Sequence, residues 1–202
     1  MALYNRCELC KITPYDLKQF SVSLQTCDVS VALIGDVINP VVDDTALTSS
    51  SIFSAITPAR LSRLNTSAEN GYAGAWSARF ANTAQWIKVD LGGVKTVQQV
   101  ITQGRQDFNQ WVREYRVSYS LDDVTFVRAR STSGHVRLFG GNRDRSTRVT
   151  STFDAPLVAR YVRLHPVRWG GWISLRWELS GCAYGKRVAY RSGHHIEESC
   201  RP

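Results

Sequence analysis

QWIKVDLGGVKTVQQVITQGRQDFNQW, from Gln85 to Trp111, decides the fold of this 202-residue chain. Ile87, Val89 and Leu91 alternate with Lys88 and Asp90, the pattern of a strand with one buried and one wet face. Gly92-Gly93 reads as a turn. Val94 to Ile101 is a second β-branched run, so the segment is expected to be a hairpin. It stops at Thr102-Gln103-Gly104, after which Arg105, Asp107, Phe108 and Trp111 crowd into one short loop. A polar and aromatic loop carried on a rigid sheet is a candidate binding edge.

Working outward, the same strand and turn pattern recurs. Tyr115 to Ser120, Thr125 to Arg130, Arg148 to Phe153, Arg160 to His165 and Ile173 to Leu179 read as strands. Asp122-Asp123, the Gly134 to Asn142 region, Asp154-Ala155-Pro156 and Trp169-Gly170-Gly171-Trp172 separate them. Toward the N-terminus, Val29 to Ile38 is apolar enough for a strand or edge segment, and Asn39-Pro40 and Asp43-Asp44 are turn signals. Ile52, Phe53 and Ile56 stand among Ser, Thr and Pro, which leaves two readings open: an exposed apolar tip, or core filling beneath a loop. The Gly-punctuated stretch before Trp76 delivers that residue to the core. Closely spaced strands without a convincing helix predict an all-β antiparallel sandwich or barrel. Residues 1–26 fit neither period well and read as an N-terminal Cys-containing extension with room for a short helix or strand, and residues 183–202 read as a polar, basic C-terminal tail.

Composition sets further bounds. The length suits one domain with terminal extensions, and a 43% apolar fraction with six tryptophans is globular. Twenty-five Lys and Arg against 17 Asp and Glu give a net charge of +8, which draws a protein toward anionic lipid or acidic glycans. The basic residues are scattered and no nucleic-acid motif is visible, so nucleic acid is not an expected partner. No apolar run is long enough for a membrane span, and the first residues lack the apolar core of a signal peptide. Five cysteines, two of them bracketing the strand-rich region, favour an oxidising, extracellular compartment, and the Asn65-Thr66-Ser67 sequon agrees. There is no G-x-S-x-G, H-E-x-x-H or Walker loop, so no enzyme is expected. His165, next to Pro166, reads as structural. No cofactor is implied, and calcium is not indicated.

Several segments together resemble the discoidin domain, also called the coagulation factor V/VIII type C domain, over about Cys27 to Cys182. They are Ala75-Trp76, Gln85 to Gly92, Val100 to Gly104, Trp111-Val112 with Tyr115 and Ser118 to Ser120, Gly141-Asn142 with Asp144, and Ala159 to Arg163 with His165-Pro166. The resemblance implies a jelly roll of about eight antiparallel strands, used for binding, with protruding spike loops at one end. It implies a disulfide from Cys27 to Cys182, which restricts the unfolded chain by roughly 4 to 5 kcal/mol in the entropy model. The flanking Cys7, Cys10 and Cys200 resemble those of retinoschisin-like members. They are expected to form a second bridge, or to link subunits of a homo-oligomer. Zinc ligation by Cys7, Cys10, Cys200, His194 and His195 is the alternative.

Carried onto this chain, the spike loops map to Ile52, Phe53 and Ile56, to Arg105, Gln106, Asp107 and Phe108, and to a third wall of Arg168, Trp169 and Trp172. Arg60, Arg63 and Arg79 form a basic rim. Trp111 is expected to pack in the core more than to touch ligand. Arg105 and Asp107 form either a local ion pair and nothing more, or a hydrogen-bonding fork for sugar hydroxyls beside an aromatic face. The polar second loop favours a cell-surface glycan. Anionic phospholipid comes second, and an extracellular matrix protein third.

Overall fold

The computed structural model describes residues 31–184, together with the backbones of Phe20–Ser23, Lys186–Arg191 and His194–Ser199. The chain divides into two compact units, residues 28–182 and the paired flanks 1–27 and 183–202. In the flanking unit, β1 (Phe20–Ser23), β10 (Lys186–Arg191) and β11 (His194–Ser199) form an antiparallel sheet in the order β1-β10-β11. Phe20 lies opposite Arg191, and Lys186 opposite Ser199. β1 falls in the extension where the sequence leaves a short helix or strand open, whereas the two strands of the tail have no signal in the sequence. Cys7, Cys10, Cys27 and Cys200 lie outside the described residues, as do the side chains of His194 and His195. Cys182 is disulfide-bonded.

The larger unit is all-β. Its strands are β2 (Leu47–Ser49), β3 (Trp76–Ser77), β4 (Ile87–Gln103), β5 (Trp111–Ser120), β6 (Val127–Arg128), β7 (Phe139–Gly140), β8 (Val149–Gly170) and β9 (Ser174–Ala183). They join in one eight-stranded sheet in the order β3-β9-β4-β8-β5-β6, with β2 on β4 and β7 on β5. This is the antiparallel jelly-roll arrangement expected.

At two expected turns the strand continues, for one reason. Gly92-Gly93 does not reverse the chain. Ile87–Asp90 pairs with Tyr161–Leu164, and beyond a register shift Lys95–Thr102 continues along the same partner strand back to Val149. Gly92 takes φ +71°, and its N–H is held by the Asp90 carboxylate at 2.9 Å. The pair of glycines is therefore a bulge that bends one long strand. On β8 the Asp154-Ala155-Pro156 stretch likewise lies within a single 22-residue strand. The β6 strand is shorter than the Thr125 to Arg130 expected. In the described part of Val29 to Ile38 only isolated bridges form, Ala32 to Ser180 and Gly35 to Pro40.

The core sits under β4, β5, β8 and β9 and includes Trp76, Ile87, Val89, Val97, Val100, Tyr115, Val162, Leu164, Leu175, Trp177 and Leu179, all fully buried. Trp76 is structural, as its sequence context implied. On β9, Leu175, Trp177 and Leu179 face this core. The alternate residues Ser174, Arg176, Glu178 and Ser180 belong to the other face of the strand and are buried as well. Loops cover that second face, and Arg176 and Glu178 hold them.

His165 is structural. Its Nε2 meets Ser118 Oγ at 2.8 Å, and burial, then Arg128, Arg163 and Arg116, push its pKa down to about 3, so the ring is neutral in the folded protein.

Candidate functional site

Three loops meet at one end of the larger unit, and each is tied down by its backbone before any side chain is presented. In the first, Gln85 Oε1 accepts from Ser50 Oγ at 2.9 Å and from Ser51 Oγ at 2.5 Å. Trp76 Nε1 donates to the Ser51 carbonyl, and the Phe53 N–H donates to the Ser77 carbonyl. The Ser54 N–H donates to Thr57 Oγ1, closing the turn. Ser, Thr and Gln are therefore the anchors, and the apolar residues between them have no core to enter. Ile52, Phe53 and Ile56 are 39%, 56% and 48% exposed. Of the two readings the sequence left open, the exposed tip is the one observed.

The second loop, residues 104–110, is closed by the Arg105 N–H donating to the Gln110 carbonyl at 2.9 Å. The Arg105 guanidinium donates through Nε and Nη2 to the two oxygens of Asp107, both at 2.8 Å, and through Nη1 to Gln110 Oε1 at 3.1 Å. It lies 4.5 Å from the ring centroid of Phe108, which is 55% exposed. Burial pushes the Asp107 carboxyl up, but Arg105 and the Gly74 N–H outweigh it and hold the group below its ordinary value. Asp107 is a carboxylate at neutral pH. The Gly74 N–H reaches it at 3.0 Å, and a side chain at position 74 would collide with Gln106. Gln106 Oε1 accepts the Ala68 N–H, which ties this loop to the preceding Gly-rich stretch.

The third loop turns at Gly171, φ +66°, where a Cβ would lie 2.3 Å from the Asn109 carbonyl oxygen. Only glycine lets the third loop seat against the second. Trp172 then donates from Nε1 to the Ala78 carbonyl and meets Phe53 edge to face, centroids 5.8 Å apart. One exposed aromatic escaped the sequence reading. Phe80 is 53% exposed, and the neighbouring Arg79 N–H bonds to Ser51 Oγ, which sets both residues beside the first loop. Phe80 follows the Ala75-Trp76 motif in a stretch without periodicity, so nothing distinguished it from a core residue.

Four expected members fall elsewhere. Arg63 is 2% exposed; its guanidinium pairs with Asp44 and donates to the carbonyls of Ile34, Gly35 and Val42, so it fastens the chain at 34–44 and is no part of a rim. Arg60 stacks over Tyr72, 4.3 Å from its centroid, and lines a groove with Glu69 and Asn70. Trp169, opposite Val112, packs on the core, because strand alternation turns it inward. The same alternation turns Arg168 outward, where it pairs with Glu114. Arg79 stays at the loop end. Trp111 is half-buried beneath the second loop, its ring against Gly170.

Among the described residues, no group of three or more His, Cys, Asp or Glu side chains is placed to hold a metal ion, and no helix is long and apolar enough to cross a membrane.

Comparison with known proteins bears on this geometry. The family model of the F5/8 type C domain matches residues 46–179. Retinoschisin of Mus musculus is 35% identical over 126 residues, 62% of this chain and 55% of that protein. Lactadherin of Bos taurus is 40% identical over 111 residues, 54% of this chain and 26% of that protein. The structure of discoidin II from Dictyostelium discoideum superposes with a TM-score of 0.62 at 32% identity, covering 69% of this chain and 56% of that one. The chain thus spans about half of retinoschisin and of discoidin II, and less of lactadherin.

Proposed function

Because this chain belongs to the F5/8 type C domain family, we propose that it is a non-catalytic, extracellular recognition module whose loop end binds a cell-surface glycan. The observation that carries this reading is the Arg105–Asp107 pair beside exposed Phe108. A sugar offers an apolar ring face and a fan of hydroxyls. Phe108 supplies a surface for the face. Arg105 is buried, 8% exposed, and its fork is spent on Asp107 and Gln110, so it fixes the position of the Asp107 carboxylate, whose remaining lone pairs are the acceptors beside the ring. Holding the pair rigid in advance removes the ordering cost that a flexible site would incur on binding.

A second reading, reversible binding to anionic phospholipid, has its own observation. Ile52, Phe53, Ile56 and Phe80 form an exposed apolar tip next to Arg79. Burying two such side chains contributes about 3 to 6 kcal/mol and an arginine near the head groups about 1. That is enough for weak attachment.

One experiment separates the two readings. On a glycan array, Phe108→Ala is expected to weaken the strongest signal about tenfold, equivalent to about 1.4 kcal/mol, while Ile52→Ser/Phe53→Ser leaves it in place. With phosphatidylserine vesicles the order reverses if the tip enters lipid. Glycan binding that survives Phe108→Ala would sink the first reading.

Assembly is proposed as well, through disulfides of Cys7, Cys10 and Cys200. It predicts species larger than a monomer on non-reducing gels that collapse on reduction. A single monomer band, with a monomer on sizing, overturns it.

A further inference from the structure

The outer face of the β5–β6–β8 sheet carries arginines that the loop end does not use. Between Arg113 and Arg148 the chain has eight arginines and no lysine, against four carboxylates. Those carboxylates are largely committed. Asp122 accepts the Val124 and Thr125 N–H groups, and Asp144 those of Ser146 and Thr147, closing their own turns. Asp123 pairs with Lys88 at 2.6 Å. Two carboxylates stand among the arginines, Glu114 3.4 Å from Arg168 and Asp123 3.8 Å from Arg163.

The register aligns this face. Glu114 lies opposite Arg168, Arg116 opposite His165, and Ser118 between Arg128 on one side and Arg163 on the other. Alternate residues of a strand share a face, so the positions fall in three successive rows, roughly 13 Å from first to last. Arg113, Glu114, Arg143 and Arg168 line a depression at one end of them. Arg113, Arg116, Arg128, Arg143 and Arg168 are exposed, and among the described residues no ion pair involves Arg113, Arg116, Arg128 or Arg143. Partial burial of its guanidinium, and after it the charge of Arg116, lower the pKa of Arg128.

We propose that this strip is a second binding surface, separate from the loop end, that takes a sulfated polysaccharide laid along the sheet. Guanidinium groups fit it because each presents a planar fork of donors to a sulfate, and an arginine-only surface keeps that geometry where lysine offers a point charge. Spaced rows match a chain bearing repeated anions better than a single small anion. Single-stranded nucleic acid is the weaker match, because it needs open aromatic faces. The two aromatics beside Arg163 are both covered by its guanidinium, Phe126 at 3.7 Å and Trp86 at 4.6 Å from the ring centroids.

The test uses the full chain and heparin as the probe, with fully desulfated heparin and single-stranded DNA beside it. Arg116→Gln/Arg143→Gln removes two exposed charges that hold no ion pair. It is expected to weaken heparin binding at least about tenfold at about 0.1 M salt and to flatten the dependence on salt. Lys95→Gln/Arg148→Gln removes the same net charge away from the strip and is expected to change binding less than about twofold. Phe108→Ala should leave heparin binding unaltered, which keeps this proposal distinguishable from the one for the loop end. Equal losses in both double variants, undiminished binding in the strip variant, equal binding of desulfated heparin, or DNA bound as tightly as heparin would each overturn it.

Discussion

Glu178→Ala is expected to lower the unfolding free energy by about 3 to 5 kcal/mol, read as a shift of the denaturant midpoint. The carboxylate lies on the second face of β9, 5% exposed. Its Oε1 accepts the N–H groups of Ile34 at 2.6 Å, Leu179 at 2.9 Å and Leu33 at 3.1 Å, and its Oε2 that of Gly35 at 2.8 Å. Removing it strands up to four buried donors at once, and a domain stable by about 5 to 15 kcal/mol has little reserve for that. Glu178→Gln separates charge from geometry. An amide oxygen at the Oε1 position keeps three of the four bonds, and its NH2 then faces the Gly35 N–H, so the loss should be only about 1 to 2 kcal/mol.

A pH signature accompanies this. Burial pushes the Glu178 pKa up, and the four N–H bonds offset only part of the rise. A raised folded pKa means that the folded protein holds the proton more tightly than the unfolded chain. The stability from this group is therefore present at acid pH and is lost as pH rises through the folded pKa. Glu178→Gln should remove that component. A Glu178→Ala variant with wild-type stability would show that the segment at 33–35 does not depend on this anchor.

Arg176→Met is the second large effect. Two residues before Glu178 on the same face, Arg176 is 3% exposed and donates to three carbonyls far apart in sequence: Gly104 from Nε at 2.7 Å, Thr66 from Nη1 at 2.9 Å and Arg145 from Nη2 at 2.8 Å. Burial brings its pKa down to about 10, so it stays charged at neutral pH. Methionine fills much of the volume but leaves three buried carbonyls unpaired, at an expected cost of about 3 to 4 kcal/mol. Arg176→Lys should rescue little, since one ammonium cannot span carbonyls that the planar fork reaches in three directions. Gly104 immediately precedes the Arg105–Phe108 loop, so a binding defect should appear in Arg176→Met even under conditions where the protein stays folded. Unaltered stability together with unaltered binding would exclude this anchoring role.

These two residues mark the boundary between what was legible in the sequence and what was not. The strand Ile173 to Leu179 was legible, and so was its alternation. Alternation alone assigns Arg176 and Glu178 to water, because period two distinguishes two faces and is silent on whether loops cover the second. Arg63 failed in the same way. Its charge alone points to a basic rim, whereas its donors are spent on the backbone at 34–42 and on Asp44. Buried charges of this kind are defined by partners 19 to 145 residues away, and no local window contains them.

The sequence by itself determined the all-β class, the family, the core positions of Trp76 and Val89, and which loops to inspect, because alternation, turn chemistry and clustered motifs are local properties. Tertiary structure alone decided that Gly92-Gly93 bends a strand instead of ending it, since a bulge and a turn share one composition and differ only in whether the partner strand continues alongside. It decided that Ile52 and Phe53 point outward, because Ser50, Ser51 and Gln85 bind one another and leave those side chains no route to the core. It also divided the arginines, which look alike in sequence, into buried anchors at 63 and 176, a paired fork at 105 and a strip across the sheet in which 113, 116, 128 and 143 hold no ion pair among the described residues, because charge has a role only once its neighbours in space are known.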